Sequence, residues 1–186
     1  MRLSRTSNVN LLDEPFHPDT RALLEYGRAM AAGRTPATIK TADRLADRLF
    51  VIDGLGDGRA NFLTFGADLV TLFQRDLRRS DLLSLFLPPD QAMLRSFLAA
   101  VTAANEPGVV CVMGETACDR RLGLELLTTP LARGVLPGER LLGMLQPLGG
   151  ESALEGRGLT RLRVSSIFPP RTPLPRKPLR LVVSNP

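Results

Sequence analysis

LFVIDGLGDGRANFLTFG, residues 49–66, is the stretch that decides the fold. Leu49 to Ile52 is a compact apolar run of strand type. Phe62 to Phe65 is a second one, and Gly66 ends it. Between them lies Gly54-Leu55-Gly56-Asp57-Gly58, and Asp-Gly between apolar runs is a strong hairpin signal. A nucleotide-binding glycine loop would have to open a helix whose N-terminus faces the phosphates. Here a strand follows, so the spacing predicts a hairpin turn.

Working outward toward Pro147, the pattern changes period twice. Leu69, Leu72 and Phe73 have helical spacing within Ala67 to Phe73. Asp81 to Phe86 reads as a short amphipathic helix with Ser80 as its N-cap. Pro88 and Pro89 open a longer helix to about Ala104, with Met93, Leu94, Phe97, Leu98 and Val101 on one face. Pro107-Gly108 stops it. Val109 to Thr116 is rich in β-branched residues. Leu122, Leu124 and Leu126 then alternate with Gly123 and Glu125, the period of a half-buried strand. Pro130 ends that strand, Gly134 to Gly138 is a turn, and Leu141 to Gln146 is a further strand. Two strands, a helical block and three strands make one α+β domain with a five-stranded antiparallel sheet and helices packed on one face. The other face is left for a partner.

Working outward toward the N-terminus, Pro18-Asp19-Thr20 reads as a helix start. Leu23, Tyr26, Met30 and Ala31 recur at helical spacing, and Gly33 suits a C-cap. This helix precedes the sheet, so its stripe must pack on the domain or on a second copy. The boundaries expected are a loose arm at 1–16, the helix and its connector at 17–47 with a short helix at Thr41 to Asp47, the domain at 48–168, and a tail at 169–186. Within the third segment, Arg161 to Phe168 alternates arginine with apolar residues and could add a strand.

Charge is unevenly placed. The chain of 186 residues has a net charge of +5, with 24 basic and 19 acidic residues. Seven of the basic residues, and no acidic one, lie between Arg157 and Pro186. Six prolines in the last 18 residues argue against a packed element there, although Leu181-Val182-Val183 could dock as an edge strand. The Pro/Arg-rich tail, with Arg171, Arg176, Lys177 and Arg180, could touch nucleic acid or an acidic partner, or simply be solvated. Only two Lys accompany 22 Arg, a bias typical of GC-rich bacterial genomes. Met1 to Pro15 has no apolar signal region, and no run approaches a membrane span. The expectation is a cytoplasmic protein without membrane insertion.

Catalytic and metal chemistry find little support in the motifs. His17 is the sole histidine and stands before the first helix. Cys111 and Cys118 lack further ligands at metal spacing and form no disulfide framework. Glu115 and Glu125 sit on adjacent expected strands and could face each other, but no nucleophile or metal accompanies them. No Gly-x-Ser-x-Gly elbow occurs. No catalytic residue and no metal site is expected, and the chain is not read as an enzyme. The apolar faces define a candidate ligand pocket of Phe62, Phe65, Leu69, Leu72, Phe73, Leu83, Phe86, Phe97 and Val101. The same stripes would serve equally as solid core.

These residues resemble a PAS domain, and more closely a family of alphaproteobacterial PAS-like proteins. That family's first helix is matched by His17-Pro18-Asp19-Thr20, Leu23-Leu24-Glu25-Tyr26 and Gly33-Arg34. Its strands and helix starts are matched by Leu49 to Asp53, by Phe65-Gly66 to Leu72-Phe73 with Arg75-Asp76-Leu77, by Gly114-Glu115-Thr116-Ala117, by Leu124 to Leu127 with Pro130-Leu131, and by Leu142 to Leu145. The similarity runs from about His17 to Phe168. Three positions depart from it. Gly27 stands where the family often has Trp, a Trp-Leu-Gly segment is missing from residues 149–160, and Leu63-Thr64-Phe65 replaces an Arg before Gly66. The resemblance implies a regulatory protein that acts through protein partners, commonly as a homodimer through the first helix (Leu23, Tyr26, Met30, Ala31), with or without a small ligand. Haem is disfavoured because the central helices hold no His. Flavin photochemistry is disfavoured because residues 66–87 hold no Cys. No cofactor is therefore assigned. A nucleic-acid-associated regulator using the basic tail is the alternative.

Overall fold

The structure, a computed structural model, describes residues 16–36, 45–131 and 140–171. Helix α1 (Pro18–Ala31) starts where Pro18 and Asp19 predict, with His17 Nδ1 accepting from the Asp19 N–H at 3.2 Å. Gly33 adopts φ +66° just beyond its end. Arg34 N–H donates to Ala29 O at 2.9 Å and Gly33 N–H to Met30 O at 3.0 Å, the paired bonds of a left-handed glycine terminus.

Strands β1 (Leu49–Asp53) and β2 (Asn61–Phe65) form the expected hairpin, with Phe50 opposite Phe65 and Asp53 opposite Asn61. Gly54 and Gly58 turn it at φ +80° and +70°. Then follow α2 (Ala67–Phe73), a 3₁₀ turn at Leu82–Leu85, α3 (Pro88–Ala104), β3 (Gly108–Thr116), β4 (Arg121–Pro130) and β5 (Leu141–Pro147). The cap of the 3₁₀ turn is Asp81 and not Ser80: its carboxylate accepts from the Leu83 N–H at 2.9 Å and the Ala60 N–H at 3.2 Å.

The sheet has six strands and not five. Strand β6 (Leu159–Phe168) lies along β3, and the order is β2-β1-β5-β4-β3-β6 with every neighbour antiparallel. Without β6 the long edge of β3 would be bare. The pairing runs from Val109 opposite Phe168 to Thr116 opposite Leu159, with irregularities at Cys111/Val112 and Glu115/Thr116 that break the period-two pattern. Both sheet edges are tied down. On β6, Asp90 Oδ2 accepts from the Val164 N–H at 3.1 Å and Leu162 O from the Leu87 N–H at 3.3 Å. On β2, Ser80 O accepts from the Phe62 N–H at 3.0 Å. Such ties blunt an edge that would otherwise recruit a foreign strand.

The faces of the sheet bury different amounts. The inner face carries Phe50, Ile52, Val110, Val112, Leu122, Leu124, Leu126, Leu141, Leu145 and Leu162 against α2, the 3₁₀ turn and α3. From α3 it receives Leu94, Phe97, Leu98 and Val101, whereas Met93 points outward and is exposed. Each fully buried leucine here stabilises the fold by ~1.5–3 kcal/mol. The outer face carries a second, smaller cluster in which Leu23 and Leu24 of α1 pack with Phe16 on Val109, Leu127 and Met144. Phe16, placed in the loose arm by sequence, is buried and meets Phe168 edge-on at 4.9 Å between ring centres. The remainder of the arm, the start of the connector helix at 41–44, the turn at Gly134 to Gly138 and the tail beyond Arg171 lie outside the described residues.

Candidate partner face and cavity

Antiparallel register sorts the outer face into rows. In the first, Ser166, Cys111, Glu125 and Gln146 stand side by side on β6, β3, β4 and β5. In the second, Arg163 and Gly123 flank Met113, and Leu148 extends the row by donating its N–H to Gly123 O at 2.9 Å. In the third, Arg161 and Arg121 flank Glu115. Helix α1 starts over the first row and leaves the second and third uncovered. A Cβ on Gly123 would meet nothing closer than Leu148 Cδ1 at 3.6 Å, an ordinary contact. Gly123 therefore leaves a flat place beside half-buried Met113 and exposed Leu148.

The third row is an ion-pair ladder. Arg161 Nε donates to Glu115 Oε2 at 2.7 Å, and Arg121 Nε lies 3.4 Å from Glu115 Oε1. The Arg161 hydrogen bond, with the charges of Arg161, Arg121 and Arg163, holds the Glu115 carboxyl below the usual range against its desolvation. The expected facing of Glu115 and Glu125 does not occur, because Glu115 pairs with Arg121 and Glu125 with Cys111. Both carboxylate oxygens of Glu125 instead accept the His17 N–H, at 3.1 and 3.2 Å, tying α1 to β4.

Helix α1 crosses β4 closely at Gly27, where a Cβ would fall 2.5 Å from Thr129 Oγ1 and 3.2 Å from Pro107 Cβ. That approach excludes the large side chain the PAS-like family often has there. Of the four stripe residues, Leu23 is buried against the sheet, Tyr26 and Ala31 are half-buried and Met30 is exposed. The helix thus commits Leu23 of its apolar stripe to its own chain and leaves Met30 exposed.

The nine candidate pocket residues all reach the inner core: eight are buried, and Phe65 packs against it half-buried. Two of them, Leu69 and Leu72, also line a cavity of about 330 Å³ beside α2. Leu145 and Pro147 of β5 form another wall. The third wall is the β5–β6 crossover, through Glu151, Leu154, Gly156 and Arg157. Arg48 closes one end, held by Asp68 Oδ2 at 3.2 Å, Gln146 Oε1 at 2.9 Å and Asp19 at 3.8 Å.

Two strands, a helical block and three strands in one antiparallel sheet is the arrangement that the sequence resemblance anticipated, and the observed order of those five strands is β2-β1-β5-β4-β3. A family model for the PAS domain matches residues 18–146, more than half of the chain. The chain belongs to the PAS domain family. No curated protein matches its sequence.

The PAS match begins at α1, so this helix belongs to the domain. It ends within β5, so the crossover and β6 lie beyond it. In that extension Arg157 donates to Cys118 Sγ, and Arg120 Nη2 donates to Glu155 Oε1 at 2.8 Å. A hydrogen bond with Thr116, then that with Arg157, lowers the Cys118 thiol pKa, and the thiol is exposed. Among the described residues no group of three or more His, Cys, Asp or Glu is placed to hold a metal ion, and no helix is long and apolar enough to cross a membrane. Arg171 is exposed, while Arg176, Lys177 and Arg180 lie outside the described residues. Sequence reading missed Met113, Gly123, Leu148 and Arg163 as a surface, because they meet only across strands. The one linear hint was the arginine alternation at 161–164.

Proposed function

We propose that this PAS protein is a non-enzymatic regulator of the cytoplasm that works by binding other proteins through the uncovered half of its outer sheet face. The observation that carries this reading is the second row, Arg163-Met113-Gly123-Leu148, an apolar and nearly flat strip bordered by arginines. Apolar contact with a charged rim is the usual composition of a protein interface. The arginines favour an acidic partner surface. The reactive side chains nearby have structural occupations: Glu115 in the ladder, Glu125 under α1, Cys118 with Arg157. Affinity purification of the tagged full chain from its own host, wild type against Met113→Glu, tests the reading. A protein retained by the wild type and lost by a variant of unchanged melting temperature supports it; equal retention contradicts it.

Self-association is a second part of the proposal. With Leu23 committed to the sheet, a second copy would meet Tyr26, Met30 and Ala31 on the outer shoulder of α1. Met30→Glu should then turn a dimer into a folded monomer in sedimentation, and a wild-type monomer ends this part. The reading also includes a small-molecule signal, received at the cavity beside α2.

A further inference from the structure

We infer that the cavity between α2 and the β5–β6 crossover takes a small zwitterion with an apolar arm, the chemistry of an amino acid with an aliphatic or aromatic side chain. This rests on the reading of the cavity as a signal site and names what it would bind.

Leu69, Leu72, Leu145, Pro147 and Leu154 make an apolar floor at the bottom of α2. A volume of about 330 Å³ sits at the small end of ligand sites. The rim is charged, and its charges are unequal in standing. Arg48 and Asp68 neutralise each other at 3.2 Å, and Arg48 is held further by Gln146 and Asp19. Arg157 and Glu151 have no such partner. Among the described residues Arg157 makes no ion pair with a carboxylate: its hydrogen bond goes to Cys118 Sγ, and its neighbour Glu155 is taken by Arg120. Glu151 makes neither an ion pair nor a side-chain hydrogen bond among the described residues. One cation without a carboxylate partner, its guanidinium hydrogen-bonded to Cys118 Sγ, and one anion without a partner among the described residues therefore share the same rim, over one apolar floor. A carboxylate meets the guanidinium, an ammonium meets Glu151, and the side chain reaches the leucines. A ligand with a single charge would leave one rim charge unanswered.

Part of the site lies beyond the family match. Glu151, Leu154, Gly156 and Arg157 all follow the end of the family match at residue 146. Its apolar wall is the edge of the helix–sheet core, through Leu69, Leu72, Leu145 and Leu154. Gly158 is pressed against α2, where a Cβ would fall 2.7 Å from Phe73 O. A ligand held between α2 and the crossover would thus bear on the segment that feeds β6 into the sheet.

The test is an NMR titration of the isotope-labelled full chain with leucine, 4-methylpentanoate, 3-methylbutylamine and 3-methylbutanol. Leucine should shift the amides of Leu69, Leu72 and Gly156 saturably, and loss of either charge should weaken binding about tenfold. Arg157→Gln, at an exposed position, should weaken leucine to a similar degree and leave the amine unchanged. If the singly charged or neutral probes bind as tightly as leucine, the zwitterion inference falls while the cavity stands. Should no probe shift these amides up to about 10 mM, a concentration that would reveal even millimolar binding, the cavity reading falls with it.

Discussion

The two faces of one sheet are made differently. On the inner face β1, β3, β4 and β5 present mostly large apolar side chains, and three helical segments cover them. On the outer face the same strands present Leu127 and Met144 under α1, with Cys111 at its edge, then Met113, Gly123 and Glu115 with no helix above. The chain therefore places most of its apolar burial on one side and leaves half of the other side uncovered. Burial alone shows this: Leu124 and Leu126 are fully buried, and Leu148, just past the end of β5, is 49% exposed.

That contrast can be broken by substitution. The largest loss is expected from Leu126→Ala, about 2–5 kcal/mol of unfolding free energy by chemical denaturation, because an inner cavity cannot collapse fully. Gly27→Val should cost about 1–3 kcal/mol, since the new side chain meets Thr129 and Pro107 and must push α1 off β4. Met113→Ala, on the uncovered strip, should cost less than about 1 kcal/mol. Equal losses for Leu126→Ala and Met113→Ala would mean that the strip is covered within the chain.

The third row adds a pH signature. Arg161 holds the folded-state pKa of Glu115 down, so its contribution is complete above the unfolded value of about 4.3 and is lost as pH falls through the lower folded value. Melting temperatures of wild type and Glu115→Gln should differ most at neutral pH and converge in acid. A constant difference would show that the ladder is not formed. The smallest effect is at the hairpin tip, where Arg157→Gln should slow alkylation of Cys118 by iodoacetamide and leave Cys111 unaffected. An unchanged Cys118 rate would remove Arg157 as its partner.

How far the sequence foretold this arrangement follows from the range of each signal. Gly54 to Gly58, the α3 stripe and the Leu122-Leu124-Leu126 alternation are local periodicities, and they placed five strands and three helical segments close to where they stand. Strand β6 was harder, because Arg161, Arg163 and Ser166 take its outward positions and two irregularities shift its period. The rows of the outer face were illegible, since Met113 and Arg163 become neighbours only through the pairing of β3 with β6. The cavity was half legible. Leu69 and Leu72 announce an apolar surface, but Arg157 and Glu151 reach them only through a crossover whose path no local pattern specifies.

The most direct test places a photo-crosslinking residue at position 113 in the full chain, in its own host, with the same residue at exposed Met93 on α3 as the comparison. If the uncovered half of the outer face receives an acidic protein, position 113 gives a discrete crosslinked species that Arg163→Glu removes, and position 93 gives none. Crosslinking of the same partner from position 93, or none from position 113, contradicts the account.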